Sequence, residues 1–253
     1  MIDQKSAEGA HLNALSALFL ICLACETSLV LLDLFVNWQQ WSDSRAIRRM
    51  FNITREDGLA SLFGVIQTAV VASVSWLIYF IVRQNRKSKR RFGWLILALF
   101  FTYMMIDDGA MVHERVGAAL SSTSKAVNFP SYTWQLLIAP FFIAMGAYMA
   151  WFIWQERNIA VKRSWLILAF TCLGTAVVLD FFEGVDNAYA ALTEITGLRT
   201  SIFNHFSKSL EEFLEMLGMS FFLIFFLDYL AQLTKKTEIK ISHGQILFVE
   251  LEK

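Results

Sequence analysis

Asp107, Asp108, His113 and Glu114 fall within one short run, Asp-Asp-Gly-Ala-Met-Val-His-Glu, at the end of a strongly apolar stretch. Carboxylates and imidazole bind divalent metals and serve as general acids and bases. Asp180 and Glu183 end a second apolar stretch, and Glu211, Glu212 and Glu215 open a third. Crossing a bilayer takes about 20 helical residues, each rising about 1.5 Å. The apolar run Trp94 to Met104 is too short, so the span is completed only by drawing Asp107 and Asp108 into the membrane. Ionisable groups there are costly and usually functional.

Depth brings these acids together. Counted from Trp94, Asp107 lies roughly 20 Å into the membrane; Asp180, counted from Trp165, and Glu215, counted back from Leu230, each lie roughly 22 Å in. Glu114, Glu183, Glu211 and Glu212 fall one or two turns further out. Helical spacing puts Asp107 with Glu114, Asp180 with Glu183, and Glu211 with Glu215 on shared faces. Acids crowded at one level repel each other and resist desolvation, so protons or a cation must compensate them. The expected metal ligands are Asp107, His113, Glu114, Asp180, Glu183 and Glu215. Glu56, Asp108, Glu211, Glu212, His205 and the mid-membrane Glu26 are further candidates. The Glu-x-x-His pair of dimetal bundles is absent. For Glu114, Glu183, Glu211 and Glu212 a bland alternative stands beside this: interfacial residues, with Glu211 and Glu212 suiting a helix start near Ser209.

The chain that must position these groups has 253 residues, 56% hydrophobic, 15% aromatic and 17% charged, with zero net charge. Average chains carry roughly 25% charged residues. Here the charges collect between apolar blocks, as in a polytopic membrane protein, and the balance gives nucleic-acid binding no support. Six blocks are long enough to cross, Ala14–Val36, Leu59–Val82, Phe92–Val112, Tyr132–Trp154, Trp165–Glu183 and Leu210–Leu230. Continuous apolar runs read as helices rather than barrel strands. The expected fold is therefore an all-α membrane protein with a six-span domain over residues 1–234. Residues 235–253 form a tail whose alternating pattern around His243-Gly244 suits a short β-hairpin. Cys22, Cys25 and Cys172 lie inside apolar blocks and read as packing residues. The first apolar run continues too far for a cleaved signal, so the first span is expected to be retained.

Arg83–Arg91 carries six basic residues, and counting the loops and flanks from Lys5 to Lys240 gives thirteen on that side against eight on the other. Basic loops stay inside, so both termini are expected in the cytoplasm of a bacterial inner membrane. The first outer loop, with Trp38, Trp41, Ile47, Met50 and Phe51 among Arg45, Arg48 and Arg49, reads as a short amphipathic helix lying on the membrane surface. Pro140 is expected to kink the fourth span. The segment 184–208 reads as a long outer loop without a strong pattern. Trp94-Leu-Ile-Leu-Ala98 recurs as Trp165-Leu-Ile-Leu-Ala169, which a duplicated helical hairpin explains.

Three segments together resemble a family of uncharacterised bacterial polytopic inner-membrane proteins. They are Phe51-Asn-Ile-Thr-Arg-Glu-Asp-Gly-Leu-Ala-Ser-Leu-Phe-Gly64, Ile106-Asp-Asp-Gly-Ala-Met-Val-His-Glu-Arg115 and Leu210-Glu-Glu-Phe-Leu-Glu-Met-Leu-Gly218. The second is similar to that family's Asp-Glu-x4-His-Glu pattern, with Asp108 where glutamate is usual. The first lacks the family's Pro-Thr-Trp. The resemblance implies a shared site at Glu56, Asp107, His113, Glu114, Glu211, Glu212 and Glu215, and implies no activity.

Three functions stay open. A divalent metal, its identity open, would serve as Lewis acid or redox centre for a lipid or lipid-soluble substrate. The same acids would suit a cation or proton transporter. They would also interlock the helices of a non-catalytic assembly or scaffolding subunit. Expected partners are the lipid bilayer, with a homo-oligomer or membrane-protein partner open. A transporter needs a polar path to the other side, and beyond Glu26 the spans offer little more than Gln67, Ser73 and Thr171.

Overall fold

The structure is a computed structural model and describes residues 4–84, 90–120, 129–156, 161–185, 187–235, 237–242 and 245–250. In chain order the helices are α1 (Gln4–Asp33), continued by a π-helical turn over Leu34–Trp38, α2 (Arg45–Phe51), α3 (Leu59–Val82), α4 (Arg90–Ala110), α5 (Val112–Ala119), α6 (Thr133–Gln155), α7 (Arg163–Glu183), α8 (Ala190–Thr196) and α9 (Thr200–Lys235). Six are long and apolar enough to cross a membrane: Gly9–Trp38, Leu59–Val82, Arg90–Ala110, Ile138–Gln155, Arg163–Glu183 and Thr200–Lys235. Residues 85–89, the middle of the basic Arg83–Arg91 loop, lie outside the described residues. So do parts of the tail, within which β1 (Thr237–Ser242) and β2 (Gln245–Glu250) pair antiparallel, Ile239 opposite Phe248.

The last helix is the hub. α9 packs on α7, α3 and α1, while α3 and α4 form a tight pair and α6 lies against α5 and α4. Its middle turns are nearly solid aromatic: Phe222, Phe225, Phe226 and Tyr229 are all at most 1% exposed. Phe101 meets Phe222 and Phe226 edge-on at 5.4 Å, and Trp94 lies tilted at 4.6 Å from Tyr229. Tyr229 Oη donates to Glu156 Oε2 (2.7 Å), which satisfies a buried acid at the Arg90 end of the bundle. A membrane offers helices no hydrophobic drive to associate, so close packing carries the fold. Gly93 lies hard against the Phe152 ring, and Gly218 is backed by Leu173, which brings α4 to α6 and α9 to α7.

Two expectations change. The sixth span does not begin at Leu210 but at Thr200, and the segment read as a patternless loop holds α8 and the first turns of α9. The polar residues His205, Lys208, Glu211 and Glu212 hid that helix, because in a hub their polar faces turn toward partners, not water. Pro140 sits inside α6, as expected of its place in the fourth span; neighbouring helices in a membrane tolerate the lost hydrogen bond.

Candidate functional site

The acids gather at the end of the bundle opposite Arg83 and Arg91. α4 stops at Ala110 because Met111 takes a left-handed conformation (φ 50°), and the chain restarts as α5. That turn folds His113 back over Asp107, which is 3% exposed. The His113 backbone N–H donates to Asp107 Oδ1 at 2.8 Å, and His113 Nδ1 lies 3.0 Å from Oδ2. Both Asp107 oxygens are thereby committed to one residue. Asp107 is a pure acceptor when ionised, so the pairing assigns the ring proton to Nδ1 and leaves Nε2 as the available nitrogen. The ring packs edge-on against Trp134 at 4.8 Å. Burial works against protonation of His113, but the Asp107 hydrogen bond and the charges of Asp107, Glu114 and Glu56 overcome it and raise its pKa. Asp108 accepts from Thr68 Oγ1 (3.2 Å) and so ties α4 to α3.

α7 and α9 supply the densest cluster. Asp180, Glu183 and Glu211 each present an oxygen within 4.8 Å of the other two, a spacing able to hold a metal ion. Gln135 from α6 donates to Asp180 Oδ2 at 2.7 Å. Lys208 reaches into the same cluster: its Nζ is 2.7 Å from Glu211 Oε1, 3.6 Å from Glu212 Oε1 and 3.7 Å from Glu183 Oε2. After those contacts Glu183 Oε2, Glu211 Oε2 and Gln135 Oε1 are buried without a hydrogen-bond donor among the described residues. For Glu183 the lysine contact is electrostatic and beyond hydrogen-bond reach. Glu215, one turn deeper on α9, lies within charge range of Lys208, Glu56, Asp180 and His113.

Glu56 enters from the loop between α2 and α3, which is built to be stiff. Ile53 (1% exposed) plugs into Ala60 and Met216, and Asn52 Oδ1 takes the Thr54 N–H at 3.0 Å. Arg49 and Arg55 both clamp Asp57, holding its carboxyl far below the ordinary range. Burial raises the pKa of Glu56, with the charges of Glu114 and Asp180 adding to it and those of Lys208 and His113 opposing.

The remaining candidates separate from this group. Glu114 turns to the exposed side of α5, so the adjacent His113-Glu114 pair splits between inside and outside. His205 leaves the cluster and pairs with Asp33 of α1 at 2.8 Å. Glu26 lies deeper, bonded to Gln67 and Ser220. Two participants went unseen in the sequence, Lys208 and Gln135. Lys208 stands three and four residues before Glu211 and Glu212, which is the spacing of helical ion pairs. That signal is visible only once 200–209 is recognised as helix.

Residues 14–229 match the model of the family described as Domain of unknown function (DUF8692), and the chain belongs to that family. No curated protein and no solved structure matches it.

Proposed function

We propose that this family member is an inner-membrane protein that binds a divalent cation between α6, α7 and α9. Asp180, Glu183 and Glu211 would hold the ion and His113 would stand beside it. The observation that carries the proposal is the set of buried oxygens without donors around the carboxylate trio, Glu183 Oε2, Glu211 Oε2 and Gln135 Oε1. Buried polar atoms are normally satisfied, so such a group calls for a cation, a proton or a donor ligand. An all-oxygen donor set suits hard ions of the magnesium, calcium and manganese class. A bound ion would supply Lewis acidity, and at that depth it would meet a lipid or lipid-soluble substrate. Asp107, with both oxygens on His113, acts here as the holder of an imidazole rather than as a ligand.

We further assign the acidic end to the outer face and the basic Arg83–Arg91 loop, with both termini, to the cytoplasm, on the loop charges. The Trp-Leu-Ile-Leu-Ala echo supports descent of the α3–α4 and α6–α7 hairpins from one duplicated unit. A cysteine placed at Ser88 should resist an impermeant thiol reagent in intact cells; labelling there would reverse the orientation.

Lys208 favours a second reading, in which the cluster is an internally neutralised lock between helices. Thermal melting separates the two. Metal-stripped protein in detergent should gain stability on adding magnesium, manganese or calcium, by about 2.7 kcal/mol at a hundredfold excess over Kd. Asp180→Asn and Glu211→Gln should each lose that gain while still inserting. Melting that ignores both metal and chelator, with variants that behave like wild type, rejects the metal and leaves the lock.

A further inference from the structure

Glu26 is the least exposed acid in the structure, at 0%, and it takes no part in the acidic pocket. It sits near the middle of the Gly9–Trp38 span, on a helix that otherwise faces outward. Of the described side chains of α1, only Leu15, Glu26 and Asp33 are buried, and Glu26 alone completely. Ser220 Oγ of α9 donates to Glu26 Oε1 at 2.6 Å, and Gln67 Nε2 of α3 donates to the same oxygen at 2.9 Å. The second Gln67 N–H goes to Ser220 Oγ, also at 2.9 Å.

The hydrogens of this triad can be counted. The amide supplies two and the hydroxyl one, and all are used on Glu26 Oε1 and Ser220 Oγ. Glu26 Oε2 and Gln67 Oε1 remain buried without a donor. A hard cation would need about six oxygens, far more than two spare acceptors provide. A water molecule would supply hydrogens but leave a bare negative charge in the bilayer centre. Cys22 of α1 and Cys172 of α7 are the titratable groups within range of Glu26 among the described residues, and neither is a cation. An isolated charge at such a position is strongly disfavoured.

We propose that Glu26 is a proton-binding site at the centre of the membrane, and that the neutral acid seats α1 against α3 and α9. The added hydrogen turns Oε2 into a donor and removes the charge in one step. Its acceptor in the triad is the Gln67 amide oxygen, on the group that already touches Glu26. The site is separate from the proposed metal pocket and stands or falls without it.

Infrared difference spectra of wild type minus Glu26→Gln, recorded on purified full-length protein at neutral pH, test this directly. The expected result is a protonated-carboxyl carbonyl band that E26Q removes, with E26Q inserting and melting as wild type does. An ionised-carboxylate band in its place overturns the proposal. So does sodium ion raising the melting temperature of wild type but not of E26Q, which would make the site one for a metal cation. Should E26Q fail to accumulate, Ser220→Ala serves instead. Removing the hydroxyl that bonds Glu26 Oε1 must shift the carbonyl band, and an unmoved band overturns the assignment.

Discussion

Lys208 brings one ammonium into a pocket that holds Glu183, Glu211 and Glu212 within 4 Å, with Glu215 a turn deeper on the same helix. Removing one partner of a buried ion pair leaves charge uncompensated, which costs up to about 3–5 kcal/mol when burial is complete. Lys208 keeps 19% of its side chain exposed, so Lys208→Met should destabilise the metal-free protein by about 2–3 kcal/mol after discounting for solvent. Added divalent metal should then recover most of the loss in a melting experiment, because it fills the vacated charge. No recovery would count against a cation pocket. His113 and Glu56 give the metal-free protein a pH dependence with a definite sign. Both hold protons more tightly when folded, from ordinary values of 6.5 and 4.5. Folded protein therefore binds more protons than unfolded, and stability falls as pH rises. The two contributions are full below those ordinary values and are lost as pH climbs through the raised folded ones. Melting temperature should decline from about pH 5 to about pH 8, less steeply in Asp107→Asn, where His113 loses its charged partner. A rise over that range would contradict the His113–Asp107 pairing. The sequence identified His113 as a site residue by its type and neighbours. It did not reveal that Asp107 would be spent on it, because that depends on a left-handed Met111 that no nearby residue type announces.

At the scale of elements, the site depends on how closely α5 approaches α6. A Cβ on Gly117 would lie 3.0 Å from Trp134 Cβ and 3.1 Å from its backbone nitrogen. Backbone cannot step aside as a side-chain tip can, so α5 must move instead. Trp134 is also the ring against which His113 packs. Gly117→Val should therefore cost about 1–3 kcal/mol by overpacking. It should weaken metal-dependent stabilisation as well, although residue 117 touches none of the proposed ligands. Unchanged melting with unchanged metal response would show that α5 is not held this way. Spans such as Leu59–Val82 and Trp165–Glu183 were legible from apolar length alone, since lipid demands it, the latter helix starting two residues earlier at Arg163. The first turns of α9 were not. Length scanning stops at the first charges, and here His205 finds a partner on α1, Lys208 one on α7, and Glu211 pairs with Lys208 instead of ending the helix.

Across the whole molecule, polarity is arranged unevenly along the membrane normal. Carboxylates crowd one end, Glu26, Gln67 and Ser220 form an isolated group at mid-depth, and aromatic rings fill most of the depth beyond it. Trp94, Phe101, Phe222, Phe226 and Tyr229 pack on one another with centroids 4.6–5.9 Å apart. Among the described residues, these rings and Ile78, Leu97 and Met149, all at most 2% exposed, occupy the interior between Ser220 and the Tyr229–Glu156 hydrogen bond. An ion crossing that layer would lose its hydration with little more than the buried Ser75 hydroxyl, itself bonded to the Val71 carbonyl, to replace it, a cost of many kcal/mol at the low dielectric of a dry interior. The sequence hinted at this barrier through its scarcity of polar residues beyond Glu26, but it did not show that rings from α4 and α9 would meet there. The expected behaviour is binding without passage. Protein reconstituted into vesicles loaded with a divalent-sensitive dye should admit manganese or calcium no faster than protein-free vesicles, at either sign of membrane potential. The same preparation should show the metal-dependent rise in melting temperature. Flux above the lipid background, abolished by Glu215→Gln, would overturn the barrier and make the acidic pocket the mouth of a transport pathway.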